Sequence, residues 1–334
     1  MERLFLNKIT TATYDEWSYN ANSTKIYRLL VSVSGYEERS ICWTSKTIKI
    51  INLSEMTNYL VIGFEQLKDK LSRLQNNVFY MQNNLTINQL SSDEWDLFEK
   101  ALHCELEKVI EKAGEMPIEI HIDYSSMPRR WYCRLPNYLE KIMRRKDIVY
   151  FWYTPGHYVT TEYPTAGVED FHIFSGKSTL SPKFRTHLFG LGFDKIRSQA
   201  IWSVLDPENL VCFYTEPGTE AGYVEKVKLD NKDILLATKN VFSVPMHDFV
   251  YAFSKLVGMV REYRNIGDVV LVPDGPKPLI LASSIVPPFL SLPGDGAGIV
   301  CFHVTRRKSH QYEPVDVKPA GMPYGFCFSG MRNP

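Results

Sequence analysis

Continuous apolar runs alternate along this chain with stretches whose apolar residues recur every three or four positions. That alternation predicts strands and helices in turn. The first run, Ile26-Tyr-Arg-Leu-Leu-Val-Ser-Val-Ser34, is rich in branched aliphatic residues and nearly unbroken, as a strand buried on both faces of a parallel sheet must be, and Gly35 ends it. A helix is expected through Arg39–Trp43, followed by strands at Ile48–Leu53, Tyr59–Phe64 and Val78–Met81. Ser92-Asp-Glu-Trp95 opens the strongest helix, with a capping residue and acids in its first turn. Its apolar positions Leu97, Ala101, Leu102, Leu106, Val109 and Ile110 follow helical spacing, and Gly114 stops it. A strand at Ile118–Ile122 closes on Asp123. A helix around Trp131–Met143 and a strand at Ile148–Tyr153 come next.

The second half reads the same way. It starts at Arg185-Thr-His-Leu-Phe-Gly-Leu-Gly192 and continues with a helix at Ile196–Leu205 and strands at Leu210–Tyr214 and Ile234–Ala237. A helix at Met246–Tyr263, a strand at Val269–Val272, a helix at Pro278–Ile285 and a strand at Ile299–Val304 complete it. The likeness extends to identities. Laid without a gap on Phe249–Thr305, 151 positions later, Phe98–Thr154 matches at eleven residues, among them Asp123/Asp274, Pro136/Pro287, Phe151/Phe302 and Thr154/Thr305. A period this long marks a duplicated domain rather than a solenoid repeat. The expected fold is therefore α/β: two tandem Rossmann-like domains with mostly parallel sheets, related by internal duplication. The expected layout is an N-terminal arm over 1–26, a first domain over 27–160 and a Gly/Pro/Thr-rich linker over 161–183. A second domain over 184–308 and a C-terminal tail over 309–334 that wraps a surface follow. A ligand site between two such halves would draw on both.

Composition narrows the function. In 334 residues, 38 Lys and Arg balance 38 Asp and Glu. A generalised nucleic-acid binder needs a basic excess to meet phosphates, so net charge does not indicate one. Local basic clusters remain at Met127-Pro-Arg-Arg130 with Arg134 and at Arg306-Arg-Lys308. Six cysteines, at 42, 104, 133, 212, 301 and 327, form neither a C-x-x-C pair nor a zinc spacing. They read as reduced, mostly buried residues of a cytosolic protein. No metal site and no cofactor is expected. The N-terminus lacks a secretory pattern and no stretch is long enough to span a bilayer, so the expectation is a cytoplasmic protein without membrane contact.

In open parallel sheets ligands bind beyond the carboxyl ends of the strands. Two pairs of equivalent segments fall there. The first is Ser34-Gly-Tyr-Glu-Glu-Arg-Ser40 and Gly190-Leu-Gly-Phe-Asp-Lys-Ile-Arg-Ser198. Glycines such as Gly35 and Gly192 let the backbone approach a ligand, the next helix presents amides, and Arg39 and Arg197 could clamp a phosphate. The bland alternative is a strand–helix turn stapled by Arg–acid pairs. Gly190-x-Gly192 lacks the rest of a dinucleotide fingerprint, so no nicotinamide site is expected. The second pair is Asp123-Tyr-Ser-Ser-Met-Pro-Arg-Arg130 and Asp274-Gly-Pro-Lys-Pro278. Here Ser125 and Ser126 could bond phosphate or ribose, Gly275 admits close approach, and Arg129, Arg130 and Lys277 could neutralise charge. The bland alternative is helix capping with solvated basic residues. Catalysis is the weaker reading. Ser125 and Ser126 lack a nucleophile elbow. His121, inside a strand, suits packing, as does His303 at a sheet end. Glu37, Asp123 and Asp194 are the acid–base candidates for a hydrolase acting on a nucleotide or nucleic acid, by glycosidase or phosphodiesterase chemistry.

With Asp123–Arg129 and Asp274–Lys277 after the central strands, and Ser34–Ser40 and Gly190–Ser198 after the first strands, the chain resembles the CRISPR-associated Rossmann-fold (CARF) family and the SAVED domains, which look like two such folds fused. The resemblance covers most of residues 27–308. It implies an anionic cyclic or linear oligonucleotide as ligand, a sensor role in prokaryotic antiviral defence, and a separate effector or partner protein.

Overall fold

The computed structural model describes residues 9–21, 26–51, 56–66, 68–157, 168–177, 184–220, 222–238, 240–290, 298–306 and 316–329. The chain divides into two compact units. One is Arg3–Tyr158 joined by Val315–Pro334, and the other is Val159–Pro314.

The first unit opens with β1 (Thr10–Thr13) and α1 (Tyr14–Ala21). Then come β2 (Tyr27–Ser34), a 3-10 turn at Glu38–Ile41, α2 (Cys42–Ile51), β3 (Thr57–Phe64), α3 (Leu71–Gln82), β4 (Ile87–Leu90) and α4 (Trp95–Ala113). They are followed by β5 (Ile118–Asp123), the short helices α5 (Arg129–Tyr132) and α6 (Leu135–Ile142), β6 (Ile148–Tyr153) and β7 (Gly156–His157). The second unit contains β8 (Val168–Lys177), β9 (Arg185–Gly190), α7 (Lys195–Leu205), β10 (Asn209–Thr215), α8 (Tyr223–Asp230), α9 (Lys232–Ala237) and β11 (Asn240–Val244). It ends with α10 (Phe249–Arg264), β12 (Asp268–Pro273), α11 (Lys277–Leu290) and β13 (Ile299–Arg306). The chain then returns to the first unit as β14 (Lys318–Pro319) and β15 (Tyr324–Ser329).

The protein is α/β, with two mostly parallel, Rossmann-like sheets. Their orders are β4-β3-β2-β5-β6-β15-β1 and β11-β10-β9-β12-β13-β8. Within each, five parallel strands run in the doubly wound order 3-2-1-4-5, so the crossovers reverse direction between β2 and β5 and between β9 and β12. A sixth, antiparallel strand follows in each sheet: β15 beside β6, with β1 antiparallel beyond it, and β8 beside β13. Their registers correspond. Val149 faces Phe328 in one unit, and its repeat partner Val300 faces Gly176 in the other. The sixth strands are thus exchanged along the chain. β8, which follows β6 and the short β7, serves the second sheet, and β15, which follows β13 and the short β14, serves the first.

This corrects the expected segment layout. The linker over 161–183 contains a ten-residue sheet strand, β8. The tail over 309–334 supplies β14 and β15 rather than only covering a surface, and the arm over 1–26 supplies β1, which pairs with β15. Arg307 and Lys308 of the second basic cluster lie outside the described residues, as do parts of the arm, linker and tail.

Three expected strands are helical. Ile48–Ile51 ends α2, Val78–Met81 lies in α3 and Ile234–Ala237 lies in α9. Short apolar runs do not distinguish strand from helix, and α3 adds a second reason. Its buried residues are Ser72, Arg73, Asn76 and Tyr80, whereas Leu71, Leu74, Val78 and Met81 are exposed. The helix is polar inside and apolar outside, so the usual pattern is inverted. Of the cysteines, Cys133, Cys212 and Cys301 are buried, but Cys104 is exposed on α4.

One face of the first sheet is aromatic and polar at once. Trp17, Trp43 and Trp152 surround His121. The indole N–H of Trp152 donates to His121 Nδ1 at 3.0 Å, which leaves the imidazole proton on Nε2, 3.2 Å from Glu119. Arg28 donates to the same carboxylate at 2.7 Å. Burial of Glu119 opposes ionisation, but the His121 bond and the Arg28 charge outweigh it and bring its pKa down to about 2. His121 is fully buried, and burial pushes its pKa down. It is a packing and hydrogen-bonding residue. The equivalent positions in β12 are Val270 and Val272, both buried.

Candidate functional site

Beyond β2 and β5 the first unit closes its loops on each other. A Cβ on Gly35 would lie 2.9 Å from the Ser126 Cβ, so glycine is what lets the β2 and β5 loops touch. Ser126 Oγ donates to Glu37 Oε2 at 3.0 Å, and Arg39 Nε donates to the same oxygen at 2.8 Å. Arg39 is buried. Its Nη1 reaches the Tyr153 hydroxyl at 3.1 Å and the Thr154 carbonyl at 3.2 Å. Asp123 Oδ1 accepts from the Ser125 amide at 2.9 Å and from the Ser125 hydroxyl, while Ser125 Oγ accepts from the Thr154 amide at 2.8 Å. Ser34 is buried and donates to Asn77 at 2.8 Å. Arg129 and Arg130 open α5 and are half-buried.

The second unit repeats the plan with other partners. A Cβ on Gly192 would meet the Asp274 carbonyl at 2.5 Å, and Gly275 packs against Leu279 and Leu191. Arg197 Nε donates to Asp274 Oδ1 at 2.7 Å, and its Nη2 donates to the Val304 carbonyl at 2.6 Å. Side-chain exposures of 2% for Arg197 and 3% for Asp274 make this a buried ion pair. Asp194 caps α7 by accepting from the Arg197 amide at 3.1 Å. Lys277, half-buried, begins α11.

Arg39 and Arg197 are therefore internal links that bond the carbonyl end of the fifth parallel strand in each unit. Ser34, Gly35, Ser125, Gly192 and Gly275 are buried beside them. Ser126, Glu37, Arg129, Arg130 and Lys277 keep partial exposure at the rim. Glu37, Asp123 and Asp194 each already accept hydrogen bonds within their own unit.

Two features escaped the sequence. Asn76 bonds the Gly35 carbonyl at 2.8 Å and the Glu37 carbonyl at 3.0 Å, and Asn231 bonds the Gly192 carbonyl at 2.7 Å. Each thus ties the loop after the first strand to the layer that follows the second strand. No linear motif announces them, because their spacings to that loop differ between the units. The other is Arg73 on α3, at the carboxyl ends of β3 and β4. It is 1% exposed, and its Nη2 makes only long contacts, 3.5 Å to the Phe64 carbonyl and 3.4 Å to Gln89 Oε1. Burial pulls its pKa down to about 10, and no carboxylate opposes that shift.

A cavity of about 320 Å³ lies at the opposite, amino-terminal end of β10, lined by Trp202, Asp206, Glu208 and Asn209 among others. Its carboxylates make it unsuited to an anion. Among the described residues, no His, Cys, Asp or Glu group is placed to hold a metal, and no helix is long and apolar enough to cross a membrane.

No family model and no curated protein matches the chain. Solved structures resemble it only distantly. The cytoplasmic domain of a prokaryotic cation chloride cotransporter is 9% identical with a TM-score of 0.23, covering 84% of this chain and 95% of its own. An N-terminal ketoreductase from a macrolactin assembly line is 7% identical at 0.22, covering 84% and 70%. A Haemonchus contortus phosphoethanolamine N-methyltransferase is 8% identical at 0.22, covering 86% and 77%. Likenesses of this size assign neither activity nor ligand.

Proposed function

We propose that the protein is a nucleotide- or oligonucleotide-binding sensor, or the partner-binding subunit of one, in prokaryotic antiviral defence. Its anionic ligand seats on the rim of the first unit's switch point. The observation that carries this reading is the meeting of the β2 and β5 loops at Gly35 and Ser126, with the half-exposed Arg129 and Arg130 on the helix that follows. A hydroxyl and two guanidinium groups suit phosphate and ribose. The defence role rests on the resemblance to CARF and SAVED domains. Binding fits better than turnover, because Glu37, Asp123 and Asp194 each already accept hydrogen bonds from neighbouring donors of their own unit.

Calorimetry with ATP, NAD, cyclic dinucleotides and short oligonucleotides tests the proposal. Arg129→Ala is expected to weaken the binding ligand by about 1–3 kcal/mol with little change in melting temperature. Equal affinity would remove Arg129 from the site. Chromatographic detection of product that disappears in Glu37→Gln or Asp194→Asn would replace the sensor with a hydrolase.

A further inference from the structure

The rim just described leaves out the most unusual charge in the first unit. Arg73 is the third residue of α3, and long side chains on a helix lean towards its N-terminus. The guanidinium comes to rest over Gly63 of β3, where a Cβ would lie 2.4 Å from Nη2 and 2.7 Å from the Gln89 amide. A residue with a side chain at 63 would fill this space, so glycine makes the cradle. Nη2 has the two long contacts given above. Nε and Nη1 are buried and have no hydrogen-bond partner among the described residues. Leaving a buried cation without a counter-charge or full hydrogen bonding is costly, and chains avoid it unless something else completes the group. The same place carries the amino end of a twelve-residue helix, whose N-cap, Lys70, supplies no side-chain acceptor. First-turn amides and the helix dipole favour an anion there. Gln89, which covers the guanidinium, is itself exposed on β4.

We infer that Arg73, with Gln89 as its cover and the first turn of α3 beside it, is a subsite for a phosphate-type oxyanion at the carboxyl ends of β3 and β4. The oxyanion supplies the missing negative charge and accepts from one of the unpartnered N–H groups of the guanidinium. This subsite does not depend on Arg129, so it stands or falls separately from the nucleotide reading.

The test is a titration of the full chain with inorganic phosphate at low ionic strength, against chloride at matched ionic strength. The readouts are thermal unfolding and ³¹P line broadening. A phosphomonoester run in parallel tells free phosphate from a phosphate carried on a larger molecule. The wild type is expected to show saturable stabilisation by phosphate. Arg73→Met should lose affinity at least about tenfold, the scale of one charge-assisted hydrogen-bonded pair. In phosphate-free buffer the same variant should be at least as stable as wild type, because a buried uncompensated charge is gone. Arg129→Ala should retain the phosphate response. Gln89→Ala, at an exposed position, should change phosphate affinity at least about twofold and covers the case in which Arg73→Met fails to fold. No saturable response in the wild type, a response that survives Arg73→Met, or an unchanged affinity in Gln89→Ala would each overturn the subsite. So would a folded Arg73→Met that is markedly less stable without phosphate, which would make Arg73 a structural residue.

Discussion

The two units share a strand order, an antiparallel sixth strand and a buried arginine at the end of the fifth parallel strand, yet they neutralise that arginine differently. In the second unit Arg197 takes Asp274, which ends the loop side of the fourth parallel strand. In the first, the equivalent Asp123 is engaged by Ser125, and Arg39 takes Glu37 from two residues upstream. The second arrangement ties two strand ends together through one fully buried pair. The first spreads the same job over Glu37, Ser126, Tyr153 and Asn76 and leaves Glu37 and Ser126 partly in solvent. The lesson is that a duplicated scaffold keeps the backbone-directed bond of the arginine and is free to change its carboxylate. Where the carboxylate moves outward, Glu37 and Ser126 form a partly exposed rim.

Removing each arginine tests the comparison most severely. Arg197→Met strands Asp274 in a dry site and is expected to cost about 3–5 kcal/mol in urea unfolding. Arg39→Met should cost less, about 2–3 kcal/mol, because Glu37 keeps the Ser126 bond and some solvent. Equal losses would show that the two networks are energetically the same.

The exchanged strands come next. A Cβ on Gly176 would lie 2.0 Å from the Ile299 carbonyl oxygen, and one on Gly325 would lie 1.8 Å from that of Phe151. Alanine at either position forces the sixth strand off its neighbour, at about 1–3 kcal/mol. Gly176, at φ +85°, carries a further backbone penalty of about 1 kcal/mol or more, so Gly176→Ala is expected to be the worse of the two. Hydrogen exchange should rise in β13 for Gly176→Ala and in β6 for Gly325→Ala. Crossed effects would contradict the strand pairing.

Acidification separates the units by smaller amounts. Burial, helped by the nearby Arg185 charge, lowers His187 in the second unit to about 4. A lowered histidine pKa means that the fold accepts the neutral ring. Its contribution is complete above the unfolded value near 6.5 and fades as pH falls towards 4. His187→Gln should therefore flatten the stability profile in that window, by about 1–2 kcal/mol. In the first unit Glu119 is held down to about 2, so its contribution persists above roughly pH 4.3 and is lost on the way to 2. Glu119→Gln should flatten that lower window and leave the upper one to the histidines. Its counterpart Val270 has nothing to titrate.

The sequence by itself determined the α/β class, the two-fold repetition and the strand ends that carry Asp123 and Asp274. These follow from nearest-neighbour physics: unbroken apolar runs for doubly covered strands, three-and-four spacing for helices, and glycine where loops crowd. It also marked Arg39 and Arg197 as paired features, since their loops recur. It did not determine α3, because a helix with Arg73 and Asn76 inside and Leu74 and Val78 outside carries a pattern opposite to the usual one. Nor did it determine what Arg39 and Arg197 do. Whether a strand-end arginine faces a ligand or a carboxylate depends on a residue 77 positions away in one unit and two away in the other. The exchange of β8 and β15 was equally hidden. Strand pairing is a non-local choice, and either strand could extend either sheet by local propensity. Only the folded sheets decide which backbone donors and acceptors meet.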